Sequence, residues 1–241
     1  MRVSMTARTV ALTCLAASAP TFAAFHSMKV VEVFPGAAAS PNAQYVVIQM
    51  HQAGQNQVGG HGITVYDAAG NAIGAEIFPG GVGNGAIQSK ILIATSQAGT
   101  FFSLMPDLVL DVPIPLSGGK VCFDASPEDC LAWGDYSGSS AGVGTPFLQA
   151  TGLVLGRAAI RRLDIVAPNN TLQAGDDTDQ CSTDFVDGVP APRNNAGVAG
   201  TIPPSVCGNG VLEGLEQCEA GVGCSSSCTL DAGALFFNGF E

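Results

Sequence analysis

The runs KVVEVF at residues 29–34, QYVVIQM at 44–50 and KILIAT at 90–95 decide the fold of this 241-residue chain. Each run is short and rich in β-branched residues, and turn signals made of Pro-Gly or Ser-Pro-Asn lie beside the first two. Runs of this kind predict β-strands. Because the third run is almost continuously apolar, it is typical of a strand that is buried on both faces.

Similar runs continue outward from these three, separated by turn-forming residues. They occupy residues 62–66, 75–78, 108–112, 120–123 and 130–136. About eight strands, spaced roughly 10–15 residues apart, predict an all-β fold, an antiparallel β-sandwich with Greek-key links. One short helical turn is expected near residues 96–104, and a further strand or helical turn at 158–165.

The start of the chain predicts export through a Sec-type signal peptide at residues 1–23. Two arginines precede the apolar run VALTCLAASA (10–19), and Thr-Phe-Ala ends at Ala23 as a small-x-small cleavage signal, so the mature chain is expected to begin at Ala24. The run is far below the ~20 residues that span a bilayer, so no membrane insertion is expected after cleavage. A lipoprotein modified at Cys14 is a weaker alternative, because the residues before it make a poor lipobox.

Composition restricts the partners of the mature chain. Removal of residues 1–23 leaves seven basic and twenty acidic residues, a formal net charge of −13. Such a surface repels nucleic acids and anionic membranes, and it leaves cations as the natural small partners. A hydrophobic content of 46% is enough to build a core, which excludes general disorder.

Four cysteines near the end of the chain predict a small disulfide-rich module. Cys207, Cys218, Cys224 and Cys228 follow the pattern C-x10-C-x5-C-x3-C in a stretch too poor in large apolar residues to bury a core. Paired thiols need an oxidising compartment, and structural zinc prefers C-x2-C spacing, so disulfides fit better than a metal. The connectivity stays open. If Cys207 and Cys218 pair, the bridge would contribute about 3 kcal/mol to stability.

The remaining cysteines of the mature chain leave two alternatives. Cys122 and Cys130 are eight residues apart and could close a hairpin, in which case Cys181 has no mate. Alternatively, Cys181 pairs with one of them and leaves the other free.

Residues 28–198 resemble a lamin-tail-type domain. The resemblance lies in MKVVEVFPG, QYVVIQMHQ, GITVYDAAGN and KILIATSQAGTFF, in the hairpin LVLDVPIPLSGGKVCFDASPEDC, and in the closing GRAAIRRLDI. It implies an immunoglobulin-like antiparallel β-sandwich over residues 24–198, of a kind found in nuclear lamins and in bacterial extracellular proteins. Two positions depart from that family: Val47 stands where glutamate is usual, and Thr64 replaces a bulky core residue.

The end of the chain is similar to the myxobacterial cysteine-rich repeat. CGNGVLEGLEQCE and GCSSSC match C-G-[DN]-G-x-x-[ED]-x-x-E-x-C-[DE] and G-C-[ST]-x-x-C, in a shortened copy. The resemblance implies a repeat at 206–230. Glycine and proline indicate a short linker before it, at 199–205, and the C-terminal tail at 231–241 contains FFNGFE, which resembles a signature at the ends of exported bacterial proteins. The family occurs on exported and surface proteins and has no known chemistry, so we expect a secreted or cell-surface protein.

An acidic cluster is the one candidate for a bound cation in the body of the chain. Asp176, Asp177, Asp179 and Asp184 lie in GDDTDQCSTD, and calcium takes six to eight oxygen ligands from such groups. The spacing is not that of an EF-hand, and no glutamate closes the site. The alternative is a solvated acidic loop capped by Asx turns.

The expected mature N-terminus offers a second metal hypothesis. The sequence Ala24-Phe25-His26 would place an α-amine, two backbone amides and an imidazole around a square-planar Cu(II) or Ni(II) ion. The alternative is an unstructured leader that contains a histidine by chance.

Two motifs that suggest enzymes lack their structural context. GSSAG at 138–142 fits the nucleophile elbow, but no helix pattern follows, and all three histidines precede its serine. GVGNGA at 81–86 fits a loose dinucleotide fingerprint but leads into a strand. The sequence therefore favours a non-enzymatic structural or interaction module that contacts an unidentified protein or glycan of the cell envelope. The alternative is an accessory module or relative of an extracellular hydrolase with a metal-binding acidic loop.

Overall fold

The computed structural model describes residues 27–124 and 129–231. This part of the chain contains two short helices, α1 (Ser96–Phe101) and α2 (Cys181–Asp184), and a 3-10 turn at Ala174–Asp176. It also contains ten strands: β1 (Met28–Phe34), β2 (Tyr45–Met50), β3 (Gly62–Tyr66), β4 (Ala72–Ile77), β5 (Lys90–Ala94), β6 (Leu108–Val109), β7 (Gly118–Phe123), β8 (Asp129–Gly134), β9 (Ala158–Arg161) and β10 (Phe185–Gly188).

The strands form two sheets, which confirms the all-β prediction. One sheet has the order β10-β9-β1-β2-β5-β6, and the other has the order β4-β3-β7-β8. Every pairing is antiparallel except that of β5 with β6. The predicted strand at 108–112 is therefore shorter than expected and parallel to its neighbour. Hydrogen bonding to β5 ends at Leu110, whose amide donates to the Ala94 carbonyl. The next two amides, of Asp111 and Val112, donate to the Glu76 carboxylate and not to β5.

The main core lies between the two sheets and draws alternate residues from both. Ile63 and Val65 of β3 belong to this core, so the side chain of Thr64 points the other way and is only partly buried. The alternation of a strand with one buried face accounts for the threonine at a position where a bulky residue was expected. The main contributors are Val30, Val46, Ile48, Ile91, Ile93, Ile63, Val65, Val121, Phe123 and Leu131.

A second core covers the outer face of the six-stranded sheet. Phe102 follows α1 and contacts Phe34 and Tyr45, with ring centroids 5.4 and 5.5 Å apart. Val47, where the resembled family has glutamate, is fully buried in this layer. Strand β5 contributes Ile91 and Ile93 to the first core and Leu92 and Ala94 to the second. The prediction that this strand is buried on both faces is confirmed.

One disulfide lies inside the main core. Cys122 of β7 faces Cys130 of β8 in the strand register, and the two are bonded with their Cα atoms 4.1 Å apart. Cys181 is a free, buried thiol. The first of the two cysteine alternatives is therefore confirmed.

Two disulfides hold the C-terminal module, in a nested arrangement. Cys207 pairs with Cys228, and Cys218 pairs with Cys224, so the alternative bridge between Cys207 and Cys218 is wrong. The smaller loop lies within the larger one, and isolated β-bridges of Cys224 with Gly221 and with Leu230 fold the chain back on itself. Loop closures of this size contribute about 2–3 kcal/mol each on the chain-entropy account.

The module rests on the body of the protein. Leu215 packs against the second core, and Gln217 Nε2 donates to the Leu155 carbonyl at 3.2 Å. The start of the predicted 199–205 linker also lies on the body, because the amides of Gly200 and Thr201 donate to the carbonyls of Pro192 and Phe102.

Several predictions concern residues outside the described ranges. The signal peptide at 1–23, His26 and residues 232–241 of the C-terminal tail are among them. In the described part of the chain, no helix combines the length and the apolar character that crossing a membrane requires. The three disulfides indicate an oxidising environment.

Candidate functional site

A buried ion pair connects the two sheets. Arg161, the last residue of β9, places Nη2 at 2.8 and 2.7 Å from the two carboxylate oxygens of Asp129, the first residue of β8. Both side chains have no exposed surface. Because β9 belongs to the six-stranded sheet and β8 to the four-stranded sheet, this contact fixes one sheet against the other.

The same pair completes the hydrogen bonding of strand β1 at an irregularity. The register of β1 against β2 shifts between Val30 and Glu32, so Val31 is an extra residue, a β-bulge. The Val30 amide donates to Asp129 Oδ2 at 2.6 Å, and Arg161 Nε donates to the Val30 carbonyl at 2.8 Å. The two side chains thus satisfy backbone groups that β9 does not reach, which a buried strand requires.

Further acids surround the guanidinium on its other side. Nη1 of Arg161 lies 3.4 Å from Asp177 and 3.8 Å from Asp184. Lys29 Nζ contacts the second oxygen of Asp177 at 2.6 Å. The ring of Phe185 lies 4.6 Å from the guanidinium carbon, a cation–π contact inside the core. The cluster therefore combines two cations, three carboxylates and one aromatic ring.

Burial and charge act in opposite directions on these groups. Loss of water raises the pKa of Asp129 to about 7, although Arg161 and Lys29 lower it. Burial also raises the pKa of Asp177, but Arg161 and Lys29 outweigh it and hold that pKa below its ordinary value. For Arg161, burial favours the neutral form, while Asp129, Asp177 and Asp184 together raise the pKa. The guanidinium is therefore the fixed charge of the cluster.

The structure gives most of the predicted calcium ligands partners of their own. Asp184 accepts hydrogen bonds from the amide and hydroxyl of Thr178, at 2.9 and 2.6 Å. Asp176 is fully buried and accepts from the amides of Gln173 and Val166, so it caps the 3-10 turn. Asp177 meets Arg161 and Lys29, and Asp179 adopts a left-handed backbone with φ 56°.

The cation that the acidic cluster meets is thus the guanidinium of Arg161 itself. A calcium ion bound by the same carboxylates would have to compete with two side-chain cations already in contact with them. Calcium binding by this loop remains a prediction that titration can test.

The key residues of the cluster were not predicted as site residues. Arg161 lies in the GRAAIRRLDI motif and Asp129 lies in the hairpin sequence just before Cys130, and neither pattern by itself indicates a site. A signal existed, since Arg161 ends an otherwise apolar strand, AAIR, and a charge in a buried strand needs a partner. The sequence gives no means of choosing Asp129 among twenty acids.

A second buried acid lies on the opposite face of the six-stranded sheet. Glu32 Oε1 accepts hydrogen bonds from the Tyr45 hydroxyl at 2.5 Å and from the Ala191 amide at 2.7 Å. Burial raises the pKa of Glu32, and the two donors lower it. Burial and the neighbouring Glu32 raise the pKa of Tyr45, so the hydroxyl keeps its proton and acts as the donor.

The two enzyme-like motifs lie in turns. The Ser140 carbonyl accepts from the amides of Val143 and Gly144, which makes a tight turn where a nucleophile elbow needs a helix. In the segment 81–86, the Val82 amide donates to the Asn56 carbonyl, and strand β5 follows at Lys90. Neither segment has the strand–turn–helix context of its motif.

Comparisons of the chain with protein-family models, with curated proteins and with solved structures found no match. The resemblances to a lamin-tail-type domain and to a cysteine-rich repeat therefore stay predictions from the sequence. What the structure itself defines is a class: an all-β protein of two sheets with three disulfides.

Proposed function

We propose that the mature chain is an exported, non-enzymatic structural or interaction module that works at the surface of a bacterium or in its medium. Its partner would be a protein or glycan of the cell envelope, met through a surface of strongly negative formal charge. The observation that carries this proposal is that the Arg161–Asp129 pair at the centre of the cluster is sealed from solvent.

A catalytic group must touch its substrate, and the centre of this cluster does not reach the surface, although Lys29 and Asp177 at its edge are 12% and 10% exposed. Arg161 and Asp129 have 0% exposed side-chain surface, and Asp184 has 2%. Groups sealed in this way act on the fold, by fixing the packing of the two sheets and completing the bonding of β1. The ionisable side chains that most resemble an active site are therefore better explained as structural.

Covalent cross-links support a role outside the cytosol. The bridge in the core joins β7 to β8, and the other two hold a module that has little apolar core of its own. Stabilisation of this kind suits a chain exposed to proteases and to variable conditions.

Enzymatic activity and cell location test the proposal together. The purified mature chain would be incubated with generic ester, phosphoester and peptide substrates, with and without calcium. In parallel, native cells would be separated into medium, salt wash, envelope and cytosol, and the chain would be detected by mass spectrometry. The proposal expects no turnover, and it expects the chain in the medium, the wash or the envelope.

Two outcomes would contradict it. Saturable turnover of any substrate would favour an accessory module or relative of an extracellular hydrolase, above all if the turnover depends on calcium. Recovery of the chain with its leader intact in the cytosol would remove the basis for export.

A further inference from the structure

The C-terminal module holds two carboxylates, those of Glu216 and Glu219, that form no ion pair with any cation among the described residues. Glu216 is 4% exposed, and its Oε1 atom has no hydrogen-bond partner among the described residues. The Oε1 atom of Glu219 is likewise buried and has no hydrogen-bond partner among the described residues, although Glu219 as a whole is only partly buried. Together with Cys228 Sγ, one oxygen from each of the two carboxylates lies in a group whose atoms are all within 4.8 Å of one another.

The other oxygens of these carboxylates are fixed by the backbone. Glu216 Oε2 accepts from the Glu213 amide at 3.1 Å. Glu219 Oε2 accepts from the amides of Gly208 and Gly210, at 2.9 and 3.0 Å. Each glutamate thus has one carboxylate oxygen that accepts from backbone amides and one without a hydrogen-bond partner among the described residues. The disulfides of the neighbouring Cys207 and Cys218 restrain the backbone on both sides of the pair.

The acids of the C-terminal module differ from those of the body in having no cation beside them. There, the acids near Arg161 meet a guanidinium and a lysine ammonium. The sequence contains no lysine, arginine or histidine after Arg193, so the module has no cation of its own. Two buried carboxylate oxygens facing one another without a counter-charge are unfavourable, and a bound cation relieves that repulsion.

We propose that Glu216 and Glu219 form a calcium site in the C-terminal module, each supplying its free Oε1 atom. The donors are hard oxygens, which calcium prefers. Cys228 is excluded as a ligand because its sulfur is bonded to Cys207, and only a thiolate binds metal. With few protein ligands, water completes the coordination, and we expect the affinity of a weak extracellular site, with a Kd of about 0.1–1 mM.

The test uses the full mature chain, with disulfides verified by non-reducing peptide mapping, and calcium chloride as the probe. Isothermal titration should show one saturable site, and Glu216→Gln and Glu219→Gln should each weaken binding by at least about tenfold. Asp231→Asn removes a charge from the same module outside the site and should bind like wild type. Asp179→Asn does the same in the acidic loop of the body.

A second readout separates binding from a folding defect. Calcium should slow hydrogen exchange at Gly208 and Gly210, whose amides are held by Glu219, in wild type but not in Glu219→Gln. The proposal is overturned if wild type shows no saturable binding up to about 10 mM calcium. It is also overturned if both glutamine variants bind like wild type, or if Asp179→Asn alone loses binding.

Discussion

Arg161 and Asp129 meet between the two sheets with no solvent contact, and Nη2 of the arginine lies within 2.8 Å of both carboxylate oxygens. The pair also supplies the hydrogen-bond partners of Val30 beside the bulge in β1. A buried ion pair recovers little net energy compared with an apolar pair, because both charges lose their water. Its value here lies in position, since only one packing of the sheets satisfies all of these groups.

Loss of the arginine should destabilise the fold strongly. At pH 8, where the Asp129 carboxyl is ionised, Arg161→Met leaves this buried charge without its main partner and the Val30 carbonyl without a donor, at a cost of about 3–5 kcal/mol. Denaturant unfolding with intact disulfides, followed by Trp133 fluorescence, measures this. The side chain of the neighbouring Arg162 is 37% exposed and pairs with the exposed Asp164, so Arg162→Met is the matched control and should leave the midpoint unchanged. Equal stability of the two variants would show that the buried pair does not brace the sheets.

The free energy of unfolding should depend on pH through the titration of Asp129. The native carboxyl has a pKa of about 7 against an ordinary value of 3.8, so between these values the folded state holds a proton that the unfolded state releases. Wild type should therefore lose stability relative to Asp129→Asn as the pH rises from about 4 to about 7, by on the order of 4 kcal/mol at most. Groups that are not coupled to Asp129 cancel in this difference.

Unfolding of both proteins at a series of pH values gives the measurement. If the difference in unfolding free energy between the two proteins does not change between pH 4 and pH 7, Asp129 has the same pKa in the folded and unfolded states. A difference that grows with pH would mean that Arg161 lowers the pKa of Asp129 more than burial raises it.

The second buried acid gives a prediction on the outer face of the sheet. Tyr45→Phe removes the hydroxyl that donates to Glu32 and leaves a buried carboxylate oxygen with one donor fewer, which should cost about 1–3 kcal/mol. Tyr66→Phe is the control, because Tyr66 is partly exposed and its ring contact with Lys120 survives the change. The control should shift the unfolding free energy by less than about 0.5 kcal/mol. Equal effects of the two changes would argue against the Glu32 contact.

The free thiol of Cys181 should not react with alkylating reagents in the native protein. Cys181 is 2% exposed, and burial raises its pKa to about 12, so little thiolate forms at pH 8. Iodoacetamide should leave it unmodified in buffer and label one site after unfolding in guanidinium without reductant. Ser182→Cys places a thiol on the exposed neighbouring position and should be labelled rapidly in the native state. Rapid native labelling of Cys181 itself would show that α2 opens readily.

The strands were predictable because their periodicity and turn residues are local signals. The apolar run at 90–95 proved to be a strand buried on both faces, and the short spacing of Cys122 and Cys130 indicated their bridge as one of two alternatives, which the structure decides. The short parallel strand β6 was not predictable, since its end depends on Glu76, more than thirty residues away in the chain.

The buried cluster around Arg161 could not be predicted from the sequence for a similar reason. Its members are separated by 32 residues between Asp129 and Arg161 and by 131 residues between Val30 and Arg161. A sequence shows that a charged residue lies in an apolar strand, but it does not show which distant acid the fold brings to it. The predicted calcium loop was recognised as acidic, and its neutralisation by Arg161 and Lys29 became visible only in three dimensions.

Disulfide mapping by mass spectrometry of the protein from its native host tests the central claim, that this is an exported module braced by disulfides. The account predicts a mature chain that begins at Ala24, with the bonds Cys122–Cys130, Cys207–Cys228 and Cys218–Cys224 and a free thiol at Cys181. An uncleaved leader with the cysteines of the C-terminal module reduced would contradict it.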